Sequence, residues 1–198
     1  MTEARREPVG AAATQAGDAA ASAEPPGATL QPRADDPAGP GSWPIFLGLA
    51  ALILVLDQLT KAWLVSFLAP GQSVNVVGDL VRLVHSQNAG GLFGFFQGQA
   101  VVFGLVSIVV VGLIVLYHAR AGGGRYLSIT LGLLLGGALG NLVDRLRLGY
   151  VVDFVDAGIG DLRWYTFNVA DAAISFAILL LLAASIWPSV ARRAAVHA

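Results

Sequence analysis

The chain has 198 residues, of which 56% are hydrophobic and 13% charged, whereas a soluble domain carries about a quarter charged residues; this is a membrane composition. A formal charge of -1 and a sequence pI near 6.3 provide no basic field for nucleic acid, which is excluded as a partner. With no cysteine and only His85, His118 and His197, disulfides, thiolate nucleophiles, Cys-ligated zinc and lipid anchors on Cys are excluded, and neither a His-rich metal cluster nor a Ser-His-Asp triad has material.

Residues 1–41 are rich in Ala, Pro, Gly and acidic residues, a composition that cannot form a core, and are expected to be a disordered cytoplasmic N-terminal extension. Arg5 and Arg6 do not open a signal peptide, because no apolar run follows them until Trp43. From Trp43 the run "WPIFLGLAALILVL" meets "DQLTK" and resumes as "AWLVSFLAP", long enough for a spanning helix that Pro70 and Gly71 end. The partial alternation in "SVNVVGDLVRLVHS", clearest from Leu80 to His85, reads as strand at a membrane surface, outside the hydrocarbon. His85 stays open there as a lone acid–base group, and "NAGGLFGFF" follows as a turn-prone loop.

Ala100–Tyr117 is uncharged over 18 residues and forms the second span. The third begins near Tyr126 and carries Gly132, Gly136 and Gly140, a four-residue repeat that clears one helix face for another helix. A polar connection from Arg145 to Tyr165 leads to the fourth span, "FNVADAAISFAILLLLAASIW", ending near Trp187. The expected fold is a mainly α-helical polytopic membrane protein with four transmembrane helices and a small extracytoplasmic β-like region and loop. Residues 42–187 form the membrane-embedded domain and 188–198 a short basic cytoplasmic tail.

Four spans put both termini on one side. Seven Lys and Arg residues fall on that side (Arg5, Arg6, Arg33, Arg120, Arg125, Arg192, Arg193) and five opposite (Lys61, Arg82, Arg145, Arg147, Arg163), so the positive-inside rule favours cytoplasmic termini.

Short polar groups gather at the outward ends of the apolar segments: Asp57 with Lys61, Asn141 with Asp144 and Arg145, Asp153, and Asn168 with Asp171. An ionised group near hydrocarbon is costly unless solvated, paired or functional. Asp57 and Lys61 have the i,i+4 spacing and order of a helical ion pair, with Lys61 also able to snorkel toward head groups. Asn141 and Asp144, like Asn168 and Asp171, are three apart and share a helix face. Asn168 reads either as an N-cap or as an orienting partner of Asp171. Asp153 lies between Val151–Val152 and Phe154–Val155, too apolar a setting for a solvated turn. Two carboxylates brought together share a proton, one activating water while the other protonates a leaving group.

At these residues the chain resembles bacterial lipoprotein signal peptidase, or signal peptidase II. The matches are "DQLTK" at Asp57–Lys61, "NAGGLFG" at Asn88–Gly94, "GGALGNLVDR" at Gly136–Arg145, "VVDF" at Val151–Phe154 and "FNVADAAI" at Phe167–Ile174, five ordered motifs over roughly 118 residues. The resemblance implies a membrane-embedded aspartic endopeptidase that removes the signal peptide of a diacylglyceryl-modified prolipoprotein, cutting before the lipid-bearing cysteine. It implies Asp153 and Asp171 as the catalytic pair, supported by Asp57, Lys61, Asn88, Gly90, Asn141, Asp144, Arg145, Asn168 and Ala170. It also implies no metal or organic cofactor, sensitivity to globomycin, and a monomer in the bacterial cytoplasmic membrane. Its partners would be prolipoproteins and membrane lipids, and its site would lie near the extracytoplasmic face. The loop departs from the usual family pattern, with Gly91 and Leu92 at two alanine positions.

Three other readings compete. "GIGD" at Gly158–Asp161 fits the GxGD signature of presenilin-like proteases, but it lies in the polar connection and reads as a glycine turn, with Asp156 and Asp161 as solvated loop acids. A small transporter could use intramembrane acids, though these share one membrane level and the halves show no clear repeat. A purely structural bundle would have little reason to keep so many polar groups beside apolar helices.

Overall fold

An apolar segment in hydrocarbon must close its backbone hydrogen bonds on itself, which makes it a helix. The computed structural model describes residues 42–90, 99–121 and 124–187. All four apolar runs are helical: α1 (Ser42–Phe67), α2 (Ala100–Arg120), α3 (Arg125–Leu148) and α4 (Val169–Ile186). Even α4, with 18 residues, reaches about 27 Å at 1.5 Å per residue, close to the roughly 30 Å of a bilayer's hydrocarbon. Large apolar side chains such as Leu59, Val101, Leu105 and Leu179 stand exposed along these helices, as a surface facing lipid requires. The chain is a multi-pass membrane protein. The extension 1–41, the tail 188–198 and loop residues 91–98, which include Gly91 and Leu92, lie outside the described residues.

The central helix is α3, which packs against α1, α2 and α4. The glycine repeat explains the approach to α1. A Cβ at Gly132 would stand 2.8 Å from the Phe46 carbonyl oxygen, one at Gly136 2.7 Å from that of Ala50, and one at Gly140 2.6 Å from Asp57 Oδ2. The expected bare face therefore meets α1, and its last step admits a carboxylate instead of a methyl group. Phe46, Ala50, Ile114, Leu131, Leu135 and Ala138 form the apolar core of α1, α2 and α3. At one end of this core His118 is fully buried, stacked on Phe46 with centroids 4.1 Å apart and with Nε2 3.0 Å from Ser128 Oγ.

At the other end sits an antiparallel sheet in sequential order: β1 (Ser73–Val77), β2 (Val81–Asn88), β3 (Val151–Ile159) and β4 (Leu162–Arg163). The expected strand is thus a hairpin, with Leu80 in its turn. The polar connection expected from Arg145 to Tyr165 is not a loop. Helix α3 runs on to Leu148 and stops where Gly149, at φ 76°, donates its N–H to the Arg145 carbonyl, a left-handed C-cap open to glycine; β3 then begins. "GIGD" is the β3–β4 hairpin turn, with Gly160 at φ 55°. Leu64 of α1 and Leu68 just beyond its end pack on Val152 and Phe154 of β3, joining sheet to bundle.

Asp156 requires a correction, because it is not a solvated loop acid. It is 5% exposed. Its Oδ2 accepts from Arg82 Nε at 2.9 Å and Nη2 at 2.6 Å, and its Oδ1 accepts from Arg163 Nε at 3.0 Å. Burial opposes its ionisation, but Arg163 and Arg82 outweigh that and hold the carboxyl below its ordinary range. The anion locks β2 and β4 to the strand between them. Asp161 is exposed as expected.

Candidate active site

Three elements converge where the sheet meets the bundle. Asp153 comes from β3, Asp171 from the first turn of α4, and Asn141, Asp144 and Arg145 from the last turns of α3. Helix α4 begins with a reciprocal capping box: Asn168 Oδ1 accepts from Asp171 N at 2.9 Å, and Asp171 Oδ2 accepts from Asn168 N at 3.3 Å. Asn168 is therefore both cap and orienting partner. Its Nδ2 also donates to Asp153 Oδ1 at 2.7 Å and to Asn141 Oδ1 at 3.1 Å. One asparagine thus holds both carboxylates.

Each carboxylate has a second amide donor. Asn88 Nδ2 donates to Asp153 Oδ2 at 3.1 Å, and Asn141 Nδ2 donates to Asp171 Oδ1 at 2.7 Å. Asn88 itself is held by Gly90, whose N–H donates to Asn88 Oδ1 at 3.0 Å. Asp153 is 1% exposed. Burial, and then the charge of Asp171, push its carboxyl up to about 7, against the pull of Asn88 and Asn168, which favour the ionised form. Tyr165 is raised as well, by burial and by the same two carboxylates.

Beneath this pair lies a buried ionic cluster. The ammonium of Lys61 has three N–H donors and meets three acceptors: Asp57 Oδ2 at 2.8 Å, Asp144 Oδ2 at 2.9 Å and Asn141 Oδ1 at 3.2 Å. At 4% exposure Lys61 does not snorkel. Asp57 Oδ1 accepts from Ala170 N at 3.0 Å, tying α1 to the start of α4, and Asp144 Oδ2 accepts from Val152 N at 3.0 Å, tying α3 to β3. Lys61 fixes which end of the Asn141 amide faces it, and so turns the amide nitrogen toward Asp171.

A cavity of about 780 Å³ opens on the pair. Asn88, Asn141, Arg145, Asp153 and Asp171 line it, together with apolar Phe103, Val106 and Val110 of α2 and the segment Trp164–Phe167. Arg145 lies over the Phe103 ring at 5.8 Å and donates to the carbonyls of Asn141 at 3.3 Å and Gly90 at 3.5 Å. Its buried Nε has no hydrogen-bond partner among the described residues. His85 is not among the lining residues; its Nδ1 lies 2.7 Å from the Leu68 carbonyl, at the end of α1. That placement answers the open question about His85 with a structural contact.

Asp57, Lys61, Asn88, Gly90, Asn141, Asp144, Arg145, Asn168 and Ala170, which the resemblance implied as support, thus lie in this cluster or bond to it. Gln58 was not singled out. Its Nε2 donates to Asp144 Oδ1 at 2.9 Å and to the Gly140 carbonyl at 3.3 Å, and its Oε1 accepts from Arg147 at 3.3 Å. The only signal was its place beside Asp57 in "DQLTK". Among the described residues no group of His, Asp and Glu has the arrangement of a metal site.

Comparison with known proteins follows the same line. The sequence model of the family described as Signal peptidase (SPase) II matches residues 49–187. The lipoprotein signal peptidase of Moorella thermoacetica is 41% identical over 137 residues, covering 69% of this chain and 89% of that one. That of Halothermothrix orenii is 34% identical over 131 residues, covering 66% and 88%. Among solved structures, a bacterial membrane enzyme determined by the in meso method at 2.3 Å superposes with a TM-score of 0.68 at 25% identity, covering 77% of this chain and 92% of that one.

Proposed function

This chain belongs to the signal peptidase II family, and on that premise we propose how its own residues carry the reaction. The protein is an intramembrane aspartic peptidase that processes the signal peptides of prolipoproteins. Asp153 and Asp171 are the catalytic pair. One ionised carboxylate takes a proton from water as the water attacks the scissile carbonyl; the protonated partner gives its proton to the departing amine. The observation that carries the assignment is Asn168, which donates to Asp153 through its side chain and to Asp171 through its backbone. Arg145, facing the same cavity, is the donor available to the oxyanion that forms on the carbonyl. Asn88, Gly90, Asn141 and Asn168 orient the carboxylates, while Asp57, Lys61, Asp144 and Ala170 hold the elements that carry them.

The substrate bears diacylglyceryl on the cysteine after the cleaved bond. A signal helix reaches the site laterally from the bilayer, and the apolar wall of α2 receives it. Acyl burial contributes about 0.8 kcal/mol per CH₂ on leaving water, but a chain already in lipid gains only a difference of contacts, so the lipid mainly sets depth and register. Presented with matched prolipoprotein peptides with and without diacylglyceryl, the purified protein is expected to cleave the lipidated one directly before the cysteine, as read by mass. Equal cleavage of both would refute lipid dependence.

The peptidase domain is 42–187 and acts as a monomer, with 1–41 and 188–198 outside the chemistry. Four crossings leave the start of α1, the α2–α3 connection and the end of α4 on one side, and Arg120 and Arg125 beside the spans support reading that side as cytoplasmic and the sheet as outside. Because the chain has no cysteine, single-cysteine variants report this directly. Leu162→Cys, at a position 82% exposed, should react with a membrane-impermeant thiol reagent on intact cells and Arg120→Cys should not. The opposite pattern would reject the orientation.

A further inference from the structure

A second opening lies on the sheet, outside the spanning helices: a groove of about 740 Å³ with Ser73 of β1 and Arg82 of β2 toward one edge and Arg163 of β4 toward the other. Asp156 of β3 lies between them in the sheet order. Trp164, Tyr165 and Thr166 line this groove and also the catalytic cavity, so the two openings share a three-residue wall. Along β3, Asp153 and Asp156 are three residues apart, about 10 Å in a strand, an odd step that turns their side chains to opposite faces, so the way from one opening to the other runs along the Trp164–Thr166 wall. This shared wall is what puts the groove within reach of chain that leaves the catalytic cavity.

The chemistry of the groove is one-sided. Both oxygens of Asp156 are already taken by Arg82 and Arg163, which removes its carboxylate as an acceptor for a ligand. Arg82 is 31% exposed, and its Nη1 stands 3.7 Å from Asp79 Oδ1, an exposed pair beyond hydrogen-bond distance. What remains is the N–H groups of Arg82, with the hydroxyl-bearing Ser73 and Thr166, beside the indole of Trp164, 67% exposed. Donors next to an aromatic face suit a peptide backbone whose carbonyls need partners once it leaves water. We propose that this groove is the subsite for the first residues of the mature chain, beyond the lipid-bearing cysteine, with Arg82 donating to their carbonyl oxygens. The proposal rests on the reading that the cut falls directly before that cysteine.

The test uses two lipidated peptides, one ending as an amide at the cysteine and one continuing for several small polar residues. The wild-type full chain in detergent should favour the longer by about tenfold in kcat/KM, through KM, the worth of roughly one good hydrogen bond. Arg82→Gln removes the donor, and Ser73→Trp fills the groove from exposed β1 without touching the Asp156 lock. Ser73→Trp should erase the preference while leaving cleavage of the short peptide at the wild-type rate; Arg82→Gln, which also withdraws two of the bonds to Asp156, should erase it even where it slows both peptides. Equal kcat/KM for both peptides in the wild type would overturn the subsite, as would Ser73→Trp slowing both peptides alike. Failure to cleave either peptide would instead strike the peptidase reading itself, so the two failures are distinguishable.

Discussion

Asp153→Asn and Asp171→Asn are each expected to lower turnover by about 10³-fold or more, since general acid–base transfer contributes 10² to 10⁴ and neither amide can exchange a proton with water. The side chains keep their shape, so the fold should persist and the loss should fall on kcat. The same pair sets a pH profile. Burial and the neighbouring charge of Asp171 push Asp153 up to about 7, so near neutrality the pair retains one proton, as a general acid requires. Sign follows directly: as pH rises through about 7 that proton leaves, the acid is lost and cleavage falls. Asn88→Ala removes a donor that favours the ionised form of Asp153, and should move this alkaline limb upward. Near-normal turnover by either folded Asn variant, or a flat profile between pH 6 and pH 9, would sink the assignment.

Lys61→Met is expected to carry the largest stability cost. It leaves Asp57 and Asp144, 0% and 3% exposed, facing each other without a cation, and frees Asn141 Oδ1. Removing one partner from a buried ionic group costs about 3–5 kcal/mol, because an uncompensated charge stays behind. Helices separated in lipid also find polar partners, which favours the lower end of that range. Thermal melting in detergent should show the loss, and Lys61→Met combined with Asp144→Asn should recover part of it, because the double variant removes the stranded charge. Activity should remain low in the double variant, since the Asn141 amide has still lost the group that turns it toward Asp171. A single variant melting with the wild type at full activity would reject this role.

By itself the sequence determined where the chain crosses the membrane, because transfer of an apolar run into hydrocarbon is a sum over neighbouring residues, and "AVVFGLVSIVVVGLIVLY" carries that sum openly. It also determined that α3 has a bare face, since glycines four apart lie on one side of any helix. Spacing put Asn168 with Asp171 on one helix face and an apolar setting marked Asp153, while their joining as a catalytic pair, like the choice of Asn88, Gly90 and Ala170, was what the family resemblance implied. What the glycine face meets was decided only by tertiary structure, where Gly140 gives its space to Asp57 from α1. The Asp57–Lys61 ion pair was legible in the i,i+4 spacing, but only tertiary structure brought Asp144 and Asn141 to Lys61 and enclosed it away from head groups. Asp156, read as a loop acid because "DAGIGD" looks like a polar turn, became the buried anion of the sheet once β2 and β4 brought Arg82 and Arg163 beside it. Gln58 gained its role from Gly140, Asp144 and Arg147 on α3, more than 80 residues away. Partition into lipid is local and additive along the chain, whereas the geometry of a hydrogen bond depends on which distant segments fold against each other, and that is set by packing.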